Sequence, residues 1–188
     1  MLQFGQMKNL YLFTLEITSL HVSRTYDELP SHLTLMSRFF SELPAEELAD
    51  RVRPLFVRTT PVHLVFGETI RLGPKNVTAH MIDSPDEKRL HNDLHKLLDN
   101  LKVVHQYPEF IGGDHKPHVT AREGIRFAPN DKRVASFAYL IEVVDKKRVV
   151  REKFDLSLAD RTGRGTVKSD MAPLQLLIPR VKSSSKLS

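Results

Sequence analysis

The sequence predicts an α+β fold built mostly from antiparallel strands. Three observations carry that reading. Period-two apolar runs recur along the chain, two segments have helical spacing, and the links between several strand pairs are only hairpin length. At 188 residues and 21.5 kDa the chain suits one domain, or one domain of two small lobes.

The elements follow in order. In LYLFTLEITS, Tyr11, Phe13, Leu15 and Ile17 share one face while Thr14, Glu16 and Thr18 share the other, which predicts a half-buried strand. RTYDELP reads as a polar loop ending at Pro30, and residues 31–37 as a second strand. SELPAEELADRVRPLF reads as a helix of about four turns beginning at Ser41, disturbed by Pro54, with Leu48, Val52, Leu55 and Phe56 on its apolar stripe. PVHLVFGETIRLG and KNVTAHMID are strand-like and meet around Gly73-Pro74. SPDEKRLHNDLHKLLDNLKVV begins with a capping Ser84, Pro85 at the first helical position and two acidic residues at the positive end of the dipole. Its stripe is Leu90, Leu94, Leu97, Leu98 and Leu101. After the turn-rich YPEFIGGDHKP come the short run PHVTA and a long strand pair with its hairpin at Asp145-Lys146-Lys147. The expected order is β, β, α, β, β, α, β, β, β.

Composition narrows the function. Hydrophobic residues make up 40% of the chain and mean hydropathy is −0.30, enough for a core and against disorder outside the ends. There is no cysteine, which excludes disulfides and thiolate metal sites. The N-terminus reads as a lead-in to a strand, and no apolar run approaches the roughly 18–20 residues that span a bilayer, so a cytoplasmic protein without a membrane partner is expected. The net charge of +5 suits an anionic partner, and the excess lies from Lys146 onward. Residues 159–188 read as a basic C-terminal extension, partly disordered, behind a domain spanning 1–158.

A histidine followed two residues later by Ser or Thr occurs three times: His21/Ser23, His32/Thr34 and His118/Thr120. With nine histidines, roughly one such match arises by chance, so context decides. On a strand, positions i and i+2 point the same way. His32 and Thr34 then face together while Leu33 and Leu35 face the core, and His118 and Thr120 face together while Val119 and Ala121 do. A proline closely precedes each (Pro30, Pro117), whereas His21 leads into a polar loop and is the decoy. Two imidazoles facing one another supply a base and an acid that titrate near neutrality, and two hydroxyls can donate to a phosphoryl oxygen between them. Such a site opens a cyclic phosphodiester without a metal.

PSHLTLMSRFF together with KPHVTARE resembles the paired H-x-T signature of the 2H phosphoesterase superfamily, the 2′-5′ RNA ligase and cyclic phosphodiesterase group. His118 lies 86 residues after His32, which suits that family, and Leu90-His91, Leu94, Leu97 and the FIGGDHKPH loop add to the likeness over about residues 8–145. The resemblance implies a two-lobed fold of antiparallel sheets with a pseudo-two-fold axis, outer helices and a central cleft. It also implies His32 and His118 as the catalytic pair, with acid and base roles respectively, and Thr34 and Thr120 as phosphate binders. It implies RNA ends or a nucleotide as substrate, no cofactor, and hydrolysis with 2′-5′ ligation or non-catalytic binding as alternatives. A monomer is expected. Only about a dozen residues separate the first strand from the first motif, where many members carry a helix, and the stretch from about Ala159 matches nothing in the family.

Further candidates are weaker. Arg122 shares the parity of His118 and Thr120 and is assigned to substrate binding, as is Tyr107, which with Phe110 is placed to stack on a base. Lys116 has the same parity but precedes Pro117. Arg38 is expected in phase with His32, Thr34 and Met36. His91 and His95 have the spacing of a zinc pair, but Asn92 stands where a glutamate is needed and no third ligand is evident, so no metal site is expected. Asn76-Val77-Thr78 and the Gly163–Thr166 turn carry no assignment.

Overall fold

The structure is a computed structural model that describes residues 9–72, 76–122 and 124–157. Its strands are β1 (Asn9–Glu16), β2 (Thr25–Tyr26), β3 (His32–Ser41), β4 (Val62–Leu72), β5 (Val77–Asp83), β6 (Val104–His105), β7 (His118–Thr120), β8 (Lys132–Ala135), β9 (Phe137–Val144) and β10 (Lys147–Asp155), with helices α1 (Ala45–Val57) and α2 (Pro85–Asn100). The expected α+β class and antiparallel pairing are what the chain forms. The strands run β2-β10-β9-β1-β3-β7-β5-β4-β8 as one continuous sheet, with β6 attached to β3.

That order has two matched halves. Reading outward from the middle, β3-β1-β9-β10 mirrors β7-β5-β4-β8, and the halves join where β3 pairs with β7 through Leu33 opposite Val119. The chain makes its last passage from one half to the other at Ser136. There the long strand expected across this region breaks into β8, which pairs with β4, and β9, which pairs with β1. The hairpin falls where expected, with Asp145 and Lys146 both at positive φ (49° and 66°), the left-handed pair that a tight two-residue hairpin requires.

One face of the sheet carries the main core. Tyr11, Phe13 and Leu15 of β1, and Leu33, Leu35, Met36 and Phe39 of β3, pack against Leu48, Val52, Leu55 and Phe56 of α1 and Leu90, Leu94 and Leu98 of α2. The other face carries a smaller cluster in which Leu12, Tyr139, Ile141 and Val150 are covered by Leu20 and Leu29. Leu20 and Leu29 belong to the short segment between β1 and β3, so the segment expected to be a plain polar loop pins itself by two leucines. Its Thr25–Tyr26 also adds β2 to the edge of β10.

Helix boundaries differ at one end. Ser41 is the last residue of β3 rather than the start of α1; its hydroxyl accepts from Leu43 N, and α1 begins after Pro44 without a side-chain cap. Pro54 does not interrupt α1, because it sits on the exposed side, where the carbonyl left without an N–H partner meets water. α2 starts as expected: Ser84 Oγ accepts from Glu87 N at 3.1 Å and donates to the His63 carbonyl at 2.6 Å, tying the helix start to β4. Ser84→Ala therefore removes a cap and a strand contact from a buried site, and an unfolding titration in urea should show a loss of about 1–2 kcal/mol.

Candidate functional site

The seam between the halves sets the geometry. Because Leu33 lies opposite Val119 in an antiparallel pair, Thr34 falls beside His118 and His32 beside Thr120. Leu33 and Val119 are both buried on the core face, so all four motif side chains stand on the other face. Cross-strand neighbours lie about 4.5–5.5 Å apart at Cβ and diagonal ones about 7–8 Å, which leaves a phosphoryl-sized gap between the histidines. Outer strands hold both pairs in place: β1 sets Glu16 opposite His32 and Thr14 opposite Thr34, and β5 sets Met81 opposite His118 and Ala79 opposite Thr120.

The two histidines are oriented alike. His32 Nδ1 lies 2.7 Å from the Pro30 carbonyl, and His118 Nδ1 lies 2.9 Å from the Lys116 carbonyl. A carbonyl only accepts, so each Nδ1 carries the hydrogen, and each Nε2 of a neutral ring is left with its lone pair free. In both cases the acceptor is two residues upstream, at or beside the proline that opens the motif.

A cleft of ≈ 360 Å³ opens on this face, lined by His32, Thr34, Arg38, Tyr107, Arg122 and Arg148, with Ser37, Glu28, Leu12 and Leu29 completing it. His118 and Thr120 flank it across the seam. Of the sequence candidates, Arg38, Tyr107 and Arg122 do reach the cleft. Lys116 is exposed and serves His118 through its carbonyl. His21 lies in an exposed turn outside the lining, with Ser23 at positive φ. Phe110 is more than half exposed, its ring centroid 6.0 Å from that of Tyr107.

Met36 departs from the expected phase. The β1–β3 register slips, with Thr14 opposite Thr34 and Phe13 opposite Met36, so Leu35 has no partner on β1. Both Leu35 and Met36 enter the core, and the slip brings Ser37 as well as Arg38 to the cleft. The Leu35 carbonyl is taken by His91 Nδ1 at 2.8 Å, and His91 Nε2 accepts from Gly112 N at 3.1 Å. His91 thus ties the bulge of β3 to the glycine loop ahead of β7.

Three polar residues of the cleft were missed in the sequence. Ser37 had a signal, the doubled apolar pair Leu35-Met36, which strict alternation does not allow. Glu28 and Arg148 had none, being brought in by the fold of the β1–β3 segment and by β10. Glu28 pairs with Arg122, and Arg148 donates to the Asp27 and Lys146 carbonyls.

The electrostatics of the cleft are one-sided. Arg38, Arg122 and Arg148 face one carboxylate, Glu28. Burial, with the cations of Arg122 and Arg148 and the neighbouring His118, lowers the pKa of His32 from 6.5 to about 4, against the opposing pull of the Pro30 carbonyl. Ser37 Oγ and Arg122 Nε are buried donors with no hydrogen-bond partner. An anion bound here would satisfy both.

Comparison with known proteins agrees with this arrangement. Residues 13–157 match the sequence model of the 2'-5' RNA ligase superfamily. The chain belongs to that superfamily. A comparison with curated protein sequences finds no match. Among solved structures, one described as a phosphoesterase is 14% identical, with 80% of this chain and 99% of that chain covered and a TM-score of 0.52. E. coli LigT in complex with NADP+ is 13% identical over 79% and 98%, with a TM-score of 0.50. TT0787 of Thermus thermophilus is 21% identical over 80% and 98%, with a TM-score of 0.48. The first two likenesses show a shared fold. Family and fold together support a 2H phosphoesterase or 2′-5′ RNA ligase-like function. No helix among the described residues is long and apolar enough to cross a membrane. The basic extension at 159–188 lies outside the described residues.

Two desolvated histidines make stability depend on pH. His91, like His32, has its pKa lowered from 6.5 to about 4, first by burial and then by the surrounding histidines. The unfolded chain takes up these protons first, so stability is full above about pH 6.5 and falls as the pH drops toward 4. Urea midpoints measured across that window should fall steadily, and His32→Asn should make the fall shallower.

Proposed function

We propose that this protein is a phosphoesterase that hydrolyses a 2′,3′-cyclic or 2′-5′ phosphodiester of RNA or a nucleotide by general acid and base catalysis from His32 and His118. The observation that carries this reading is the matched pair of imidazoles. Each is fixed by a backbone carbonyl at Nδ1 and free at Nε2, and they stand on either side of one seam. A binding module needs positive charge and hydroxyls but not two rings locked in the same tautomer.

The phosphoryl group sits between the motifs, with Thr34 and Thr120 donating to its non-bridging oxygens. Arg122, Arg148 and the unpartnered Ser37 hydroxyl answer the charge, and Tyr107 stacks on a base or packs against the sugar. Such preorganised donors stabilise the charge that builds on phosphorus, so the reaction in the cleft needs no metal. The substrate is an RNA end or a nucleotide taken by a single chain. E. coli LigT, of similar fold, was crystallised with a dinucleotide, NADP+.

The lowered pKa of His32 supports one assignment of the roles. With its pKa held near 4, His32 is neutral at pH 7 and ready to accept a proton. It takes one from water as the water oxygen attacks phosphorus. The bond to the ribose oxygen breaks, and His118 gives that oxygen a proton. This reverses the roles that the resemblance implies. The same groups run backwards join an RNA end, so ligation needs no additional residue.

Hydrolysis of the four nucleoside 2′,3′-cyclic monophosphates, followed with EDTA present, tests the reading. Turnover should persist, and His32→Ala and His118→Ala should each lower it by about 10²–10⁴-fold. With a p-nitrophenyl ester, whose leaving group needs no proton, His118→Ala should lose much less than His32→Ala. The opposite pattern restores His32 as the acid. Turnover indifferent to both substitutions would sink the site.

A further inference from the structure

Helix α2 carries a second arrangement of imidazoles, outside the cleft, that the phosphoesterase reading does not use. His95 and Asp99 lie four residues apart on one face of the helix, and His105 of β6 comes down against them. His95 Nε2 is 3.4 Å from Asp99 Oδ2, His105 Nε2 is 3.8 Å from Asp99 Oδ1, and one donor atom from each residue lies within 4.8 Å of the others. The third partner that the sequence did not reveal for His95 is therefore not His91. It is supplied by a two-residue strand ten positions further on.

The state of His105 points to a ligand. Its side chain is only 9% exposed, and neither of its ring nitrogens has a hydrogen-bond partner. A buried imidazole with both ring nitrogens unpartnered, beside a carboxylate and a second imidazole, is a costly arrangement.

We propose that His95, Asp99 and His105 bind one zinc-class divalent ion that clamps α2 to β6. Two imidazoles and a carboxylate suit zinc and its neighbours cobalt and nickel rather than calcium or magnesium. Ligand bonds of about 2.0–2.2 Å in a tetrahedral set place the donor atoms about 3.3–3.5 Å apart, so the separations here close with small side-chain adjustments. Asp99 is half exposed, which leaves the fourth position to water. The clamp has a consequence for the cleft. β6 pairs with β3 at Phe39 and Phe40, Gln106 N donates to the Arg38 carbonyl, and Tyr107 follows directly. The ion thus fixes the wall that carries Arg38 and Tyr107 without touching the reacting atoms.

The neighbouring cluster of Glu87, His91 and His115 is the comparison case. Both nitrogens of His91 are already bonded, and His115 Nε2 is bonded to Glu87 Oε1 at 2.7 Å, which leaves Glu87 Oε2 without a partner but no imidazole of the cluster with both nitrogens unused.

The experiment is a titration of the full, untagged chain, stripped with EDTA, by zinc chloride in a calorimeter. It is repeated with cobalt chloride while the visible absorption of the bound ion is recorded. One ion per chain, a raised Tm and a tetrahedral cobalt spectrum are expected. His95→Gln and Asp99→Asn, both on the accessible side of a helix, should each weaken binding more than about 10-fold. His115→Asn should leave binding unchanged. The proposal fails if no saturable binding is seen, or if binding survives both His95→Gln and Asp99→Asn. It fails also if His115→Asn weakens binding as much, which would assign the ion to the Glu87 cluster.

Discussion

The pairing of β3 with β7 is the constraint on which the rest depends. It is a short contact, Leu33 opposite Val119, yet it joins the two halves into one sheet. Both side chains are buried in the core shared with α1 and α2, where full burial of such residues contributes about 1.5–3 kcal/mol each. Everything on the opposite face inherits its position from that pair. A slip of one residue would send both histidines into the core and two apolar residues into the cleft, so the hydrophobic pattern that folds the sheet also sets the register of the site.

The same economy governs the histidines. Each motif histidine spends Nδ1 on a backbone carbonyl of its own segment, so the fold chooses the tautomer before any substrate arrives. Away from the cleft, His91 spends both nitrogens on Leu35 and Gly112, bracing the bulge that turns Ser37 toward the cleft. A residue that looks in sequence like half of a metal site is instead a strut between a strand and a loop. Among the described residues, the buried histidine with neither nitrogen partnered is His105, whose neighbours in sequence give no hint of it.

The sequence made most of the fold legible because its strands alternate cleanly and α2 carries a full set of start signals. The parity of Tyr11, Phe13 and Leu15 and the pairing of His32 with Thr34 and of His118 with Thr120 followed from period two alone. What failed was of two kinds. Ser41 looked like a helix start because serine caps helices, but here β3 runs through it and its hydroxyl is used one turn early, on Leu43. Met36 was placed on the wrong face because alternation was carried across a bulge. The remaining omissions, Glu28, Arg148 and the partners of His95, are contacts between distant segments, and local spacing holds no record of them.

Charge explains why those distant contacts matter. Arg122, Arg148 and Arg38 converge from the end of β7, β10 and β3, so no single segment is strongly basic, yet the cleft is. Glu28 holds Arg122 in reach while leaving its Nε without a partner, a donor poised for something that the chain itself does not supply. Removing a phosphate from water is costly, and a low-dielectric cleft offsets that only with donors already in place. The burial that keeps His32 neutral also strengthens the pull of these arginines on an anion. When that anion arrives it offsets part of the arginine field that lowers the His32 pKa. In the reaction proposed above, substrate binding would therefore raise the basicity of the ring beside it, and the proposed proton acceptor would become stronger where the attacking water must be activated.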